Sequence, residues 1–146
     1  TTVSQTGVVK TELIDVEKQD DTLKLIFDDS SSPNSFIIIS KSILTLNNLE
    51  NGYLNLNIRT LEKDKPLYFI LMCGFDCMGT LNFTDFIEKS QSFRDYSIPL
   101  KCLTEQGVDL SKVNIPFILM GEGPLEIDFK RIDFTKSKKG KTLNCN

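Results

Sequence analysis

An all-β sandwich or barrel is the fold class that three observations predict. Apolar residues recur with period two in short runs, the runs are separated by turn-forming clusters, and no stretch carries a sustained helical period. The chain has 146 residues, the size of one domain. About eight such runs, with short helical turns between them, fit a sandwich or barrel of that length.

Along the chain, Val8, Val9, Leu13, Ile14 and Val16 stand among polar residues and mark an irregular first strand. Leu23 to Phe27 follows, closed by the turn-rich stretch Asp28 to Asn34. Phe36 to Ile39 is an unbroken β-branched and aromatic run, suited to a strand buried on both sides. Leu54, Leu56 and Ile58 alternate with Asn55, Asn57 and Arg59, the cleanest half-buried pattern in the chain. Strands are also expected at Leu67 to Met72, Phe93 to Pro99 and Pro116 to Met120, the last stopped by Gly121 and Gly123. In the final run Leu125, Ile127 and Phe129 share one parity, Ile132 and Phe134 the other. An extra residue at Lys130-Arg131 lets both sets face one core, which predicts a β-bulge. Short helical turns are expected at Thr84 to Lys89 with Thr84 as N-cap, at Leu100 to Gln106 ended by Gly107, and at Asp109 to Val113 capped by Asp109.

Charge divides the chain at residue 135. Residues 136–146 contain Lys136, Lys138, Lys139 and Lys141 and no acid, leaving 13 basic and 20 acidic residues before them, a net of −7. The expected organisation is one sandwich domain over 1–135 and a solvated basic tail over 136–146. A body this acidic is a poor nucleic-acid surface, and no apolar run is long enough for a membrane span. The chain starts Thr1-Thr2-Val3 without an initiator Met, as expected of a processed product or a piece of something longer.

Histidine is absent, which removes Ser-His, Cys-His and His-metal chemistry. Paired carboxylates such as Asp15 with Glu17 and Glu126 with Asp128 share strand faces, the ordinary look of a solvated face rather than of a glycosidase pair. No cofactor is indicated. Loop oxygens of a sandwich can hold calcium, with no EF-hand pattern to say which. Asn82-Phe83-Thr84 is a glycosylation sequon. Cys73-Gly74-Phe75-Asp76-Cys77 reads first as a short disulfide loop, and otherwise as half a metal site or as free, partly buried thiols. Cys102, among Ile98, Leu100 and Leu103, reads as a small core residue. With no Trp in the chain, aromatic sugar contacts fall to the tyrosines and loop phenylalanines. Tyr68 and Tyr96 sit within apolar runs and are expected in the core. Phe75 in the Cys loop and Tyr53 after the Asn51-Gly52 turn remain as candidate sugar contacts, Phe75 with the alternative of folding back over its own loop.

The segment Cys73-Gly74-Phe75-Asp76-Cys77-Met78-Gly79-Thr80-Leu81 is followed by Tyr96 to Leu103, by Gly107-Val108-Asp109-Leu110-Ser111-Lys112-Val113, and by Pro116-Phe117-Ile118-Leu119. In this order they resemble the C-terminal domain of ExoP-type exo-1,4-β-glucosidases. These are bacterial family 3 glycoside hydrolases that carry an extra galactose-binding-like sandwich after their catalytic domains. The resemblance covers about Leu67 to Phe134, and four linked motifs are more specific than any one alone. It implies a jelly-roll-like fold, a parent 1,4-β-D-glucan glucohydrolase that is periplasmic or secreted, and an oxidising compartment that permits the Cys73–Cys77 pairing. It carries over no catalytic residue. The expected role is therefore a non-catalytic accessory domain that braces the catalytic domains or weakly binds β-glucan oligosaccharides. The alternative is a free-standing carbohydrate-binding or adhesion module. The chain departs from the family pattern in its Lys-rich tail, in Cys145 and in lacking Trp.

Overall fold

The computed structural model describes residues 2–6, 9–16, 20–29 and 33–145. Among the described residues, eleven strands build two sheets: β1 (Thr2–Thr6), β2 (Val9–Val16), β3 (Asp20–Phe27), β4 (Asn34–Ile39), β5 (Tyr53–Lys63), β6 (Leu67–Met72), β7 (Met78–Asn82), β8 (Arg94–Pro99), β9 (Ile115–Gly121), β10 (Leu125–Thr135) and β11 (Lys141–Thr142). One sheet runs β1-β4-β9-β6-β7 and the other β11-β8-β5-β10-β3-β2. Every pairing is antiparallel except β11 with β8. The two sheets face each other across a core that includes Leu25, Phe27, Phe36, Leu54, Ile58, Phe69, Phe117, Ile127 and Phe129, all buried. This is the β-sandwich that the alternation predicts, in the jelly-roll-like form that the resemblance implies.

The bulge lies where the parity changes. The β5–β10 register slips between Phe129 and Arg131, so Leu125, Ile127 and Phe129 are buried while Ile132 and Phe134 still pack against the core. A short helix, α1 (Lys101–Thr104), runs into a turn that reaches Gly107, whose φ of +95° suits glycine. Asp109 caps the 3₁₀ turn Leu110–Lys112 by accepting from the Ser111 amide.

Several expectations are corrected. Phe36 to Ile39 is not buried on both sides: Phe36 is, but Ile37 and Ile39 are half-buried on the outer face. An antiparallel sheet in a sandwich covers only one of its faces. Residues 84–87 form a turn and no helix. The Thr84 hydroxyl accepts from Leu67 N, and the Thr84 amide is taken by Asn82 Oδ1, so Thr84 caps nothing. β7 escaped the alternation because Gly79 stands at an inward position. A Cβ there would lie 2.8 Å from Leu103 and 2.9 Å from Val108, so the glycine lets α1 and the loop after it close on the sheet. Val8 lies outside the described residues.

The tail is also corrected. Its lysines are exposed, but its backbone is docked: β11 pairs with β8, and Cys145 is joined to Cys102. Cys102 is buried as expected of a core residue, yet it is half of a long-range crosslink. The reason is topological. β8 is left with an unpaired edge that the returning chain fills.

Candidate functional site

At one end of the five-stranded sheet, β4 ends, β9 begins, β6 ends and β7 begins. The Cys loop sits there. Cys73 and Cys77 form a disulfide with their Cα atoms 4.9 Å apart. Cys73 N donates to Cys77 O (2.8 Å) and Gly74 N to Asn114 Oδ1 (3.0 Å), while Asp109 N reaches Cys73 Sγ (3.4 Å). Gly74 adopts φ +117°, which turns the chain sharply enough for so short a ring. Phe75 at the tip is 97% exposed and does not fold back over the loop. Met78, at the start of β7, is 55% exposed. Ile43, 58% exposed, lies in the segment whose Leu44 pairs with Val113, one residue before the Asn114 that holds the loop. The three large apolar residues most exposed among the described residues thus gather at one end of the molecule.

Tyr53 is at the same end but on the other sheet. It opens β5 between Pro99 and Thr135 and is half-buried. The structure therefore does not place Tyr53 and Phe75 on one sheet face. Tyr68 departs from its expected core position. Leu67, Phe69 and Leu71 take the inward parity of β6, and Tyr68, Ile70 and Met72 face out. Tyr96 is in the core, and its hydroxyl accepts from the Glu88 amide (3.2 Å).

The outer faces of the two sheets differ in chemistry. On the five-stranded sheet, Ile37, Ile118 and Ile70 form one row across β4, β9 and β6, and Met120 stands beside Tyr68 in the next. That row ends in a cleft of about 260 Å³ lined by Pro33, Pro66, Tyr68, Met120, Gly121 and Glu122. The sequence signal for this cleft was the outward parity of Tyr68, masked by its apolar neighbours. The six-stranded sheet instead carries ion pairs. Asp128 is fully buried beneath Arg59 (2.6 Å) and Lys24 (3.0 Å), and Lys24 also reaches Glu126 (2.9 Å). Burial lowers the Lys24 pKa, but its hydrogen bonds and charge contacts with Glu126 and Asp128 outweigh this and hold it raised. Arg59 also lies 4.6 Å from the Phe93 ring centroid. Neutralised and shut off from solvent, Asp128 is not placed to flank a glycosidic bond. Asp15 and Glu17 lie outside the described side chains. Among the described residues no three Cys, Asp or Glu side chains converge as a metal site requires, and no helix is long and apolar enough to cross a membrane.

The family model Exop_C, described as galactose-binding domain-like, matches residues 1–134. No curated protein is significantly similar in sequence. Among solved structures, the chain is similar to the family 30 carbohydrate-binding module of the cellulosomal cellulase Cel9D-Cel44B of Clostridium thermocellum. That match has a TM-score of 0.75 at 15% identity and covers 94% of this chain and 91% of that one. It is likewise similar to the extra C-terminal domain (X) of the exo-1,3/1,4-β-glucanase ExoP from a Pseudoalteromonas species, with a TM-score of 0.72 at 16% identity over 100% of this chain and 83% of that one. Against the ExoP exo-glucanase structure the TM-score is 0.68 at 15% identity over 92% of this chain, which spans only 16% of that chain's length. At these identities the likeness to solved structures is one of fold.

Proposed function

Because the chain belongs to the galactose-binding domain-like family Exop_C, we propose that it is a non-catalytic accessory domain of a family 3 glycoside hydrolase. The parent is a 1,4-β-D-glucan glucohydrolase, periplasmic or secreted, whose catalytic domains this domain braces. One observation carries the reading: Ile43, Phe75 and Met78 are exposed together at one end, around a loop held by a disulfide. Exposed apolar groups gathered in one place mark contact surfaces, and a rigid loop loses little entropy when it docks. Two disulfides also suit a compartment outside the cytosol.

The test is made on the full-length hydrolase. Phe75→Ser with Met78→Ser, or deletion of the domain, is expected to lower the inactivation temperature of the catalytic domains and to leave kcat on aryl β-glucosides unchanged. Catalytic domains that inactivate at the same temperature with and without the domain overturn the bracing role.

A second reading is weak glucan binding, favoured by the free ring of Phe75. Sugar hydroxyls exchange water for protein at a net gain of about 1 kcal/mol each, so tight binding needs a stacking surface that this chain has little of. A dissociation constant in the high micromolar to millimolar range follows, about −4 to −6 kcal/mol. Calorimetry with short β-1,4 and β-1,3 glucans on wild type, Phe75→Ala and Tyr53→Ala reads it. Binding untouched by both substitutions moves the contact elsewhere, with the Tyr68 cleft next in line. A parent reading frame no longer than this domain would favour the free-standing carbohydrate-binding or adhesion module instead.

A further inference from the structure

We propose that the Cys102–Cys145 disulfide is a redox latch. Closed, it holds the basic tail as a strap across the outer edge of β8; opened by a dithiol, it lets the tail leave and uncovers that edge. The strap is docked by little regular structure. Only Lys141 and Thr142 pair with β8, opposite Tyr96 and Ser97, and they do so in parallel, the weaker ladder. Gly140 crosses β8 so closely that a Cβ would lie 2.0 Å from Asp95 O.

Apart from Leu143, which packs half-buried against the core, what else holds the strap is polar. The Ser97 hydroxyl accepts from Lys139 N (2.8 Å) and Gly140 N (3.1 Å) and donates to Asn55 Oδ1 (2.7 Å). Asn55 Nδ2 donates to Thr135 Oγ1 (2.7 Å) and Ser137 O (3.1 Å). Leu143 N donates to Ser97 O (3.0 Å), and the Lys141 ammonium reaches Glu88 (2.7 Å) and Phe86 O (3.1 Å). Water replaces such partners when the strap lifts, so each contributes little net. The Lys141–Glu88 pair is exposed and correspondingly weak. Against them stands the entropy of ordering the tail. Covalent closure, which keeps the tail close to its seat, is what tips this balance.

Access matches the role. Cys145 is exposed while Cys102 is buried beneath it, so an external thiolate meets the Cys145 sulfur first. The exchange balances with a dithiol: its two sulfhydryls close to a disulfide, and Cys102 and Cys145 each take one electron and one proton to become thiols. Opening frees the buried side chains of Asn55 and Ser97. It also removes one wall of a cleft of about 400 Å³ whose sides are Lys141 to Asn144 and Asn82, Asp85 and Phe86.

Trypsin digestion and amide exchange of the chain in three forms test the latch: oxidised wild type, Cys145→Ser, and the Cys73→Ser/Cys77→Ser double variant. In wild type and in the double variant the tail lysines are expected to resist cleavage, and the Gly140 and Leu143 amides to exchange slowly. In Cys145→Ser, or in wild type titrated with dithiol, cleavage after Lys138, Lys139 and Lys141 rises by about tenfold or more, because it tracks the open population. The β5 and β10 amides, which exchange only through global unfolding, stay far better protected than the tail amides in every form. Equal tail protection with and without the disulfide overturns the latch, as does equal cleavage in oxidised wild type. Loss of β5 and β10 protection together with the tail, in the variant and in the dithiol titration alike, also overturns it by making the bond a general staple.

Discussion

Cys73 and Cys77 are four positions apart in the sequence, Cys102 and Cys145 forty-three. The first pair closes a ring on itself at the end of β6, and what the ring presents is a free aromatic side chain, Phe75. The second pair ties the last described residue to α1, just after the chain has paired with β8 as β11, and what it presents is coverage. A local ring shapes the few residues inside it. A long-range bond decides whether a whole segment belongs to the fold. Each region also contains one exposed carboxylate with a lowered pKa: Asp109, held by the hydroxyl and then the amide of Ser111, and Glu88, held by the Lys141 ammonium.

The largest difference between the two should appear in stability. On the chain-entropy model, losing Cys102–Cys145 is expected to cost about 4 kcal/mol and losing Cys73–Cys77 about 2 kcal/mol. Urea unfolding of Cys145→Ser against Cys73→Ser/Cys77→Ser reads both, and equal costs would break the comparison. Without reductant, intact mass after alkylation should find no free thiol in the wild type.

Acid comes next. A carboxylate whose pKa is lowered on folding contributes stability that is present above its unfolded value and is lost as pH falls through the folded one. Both regions should therefore weaken only below the ordinary values, 4.5 for Glu88 and 3.8 for Asp109. Glu88→Gln should flatten the acid response of the Gly140 and Leu143 amides and leave that of the Ser111 amide unchanged. Asp109→Asn should do the reverse. A tail response that survives Glu88→Gln would remove Lys141 from its anchor.

The smallest effect on folding belongs to Phe75→Ala. A fully exposed side chain contributes within about 0.5 kcal/mol, so the midpoint should stay put while contact with a parent domain or glucan is lost. A clear drop in stability would mean that the ring packs on something.

Local patterns made most of the sandwich legible. The alternation in β5, β6 and β10 follows from a core on one side only, and the parity switch at Lys130-Arg131 located the bulge because two sets of apolar residues had to reach that core. The Cys loop was legible because its ring is local. β7 was hidden by Gly79, whose missing side chain is what α1 needs. Tyr68 was hidden because an outward tyrosine among apolar neighbours looks like any other strand residue.

From the sequence alone came the all-β class, the strand rhythm, the Asp109 cap and the absence of histidine chemistry, all set by residues close in the chain or by composition. Tertiary structure alone decided which sheet each strand joined. It also decided that Asn55 and Ser97 would be buried and that a run of lysines would return to close an edge with Cys145. Those outcomes depend on partners tens of residues away, where the gain is set by which edge stays unpaired after the sheets have formed and not by any neighbour in the chain.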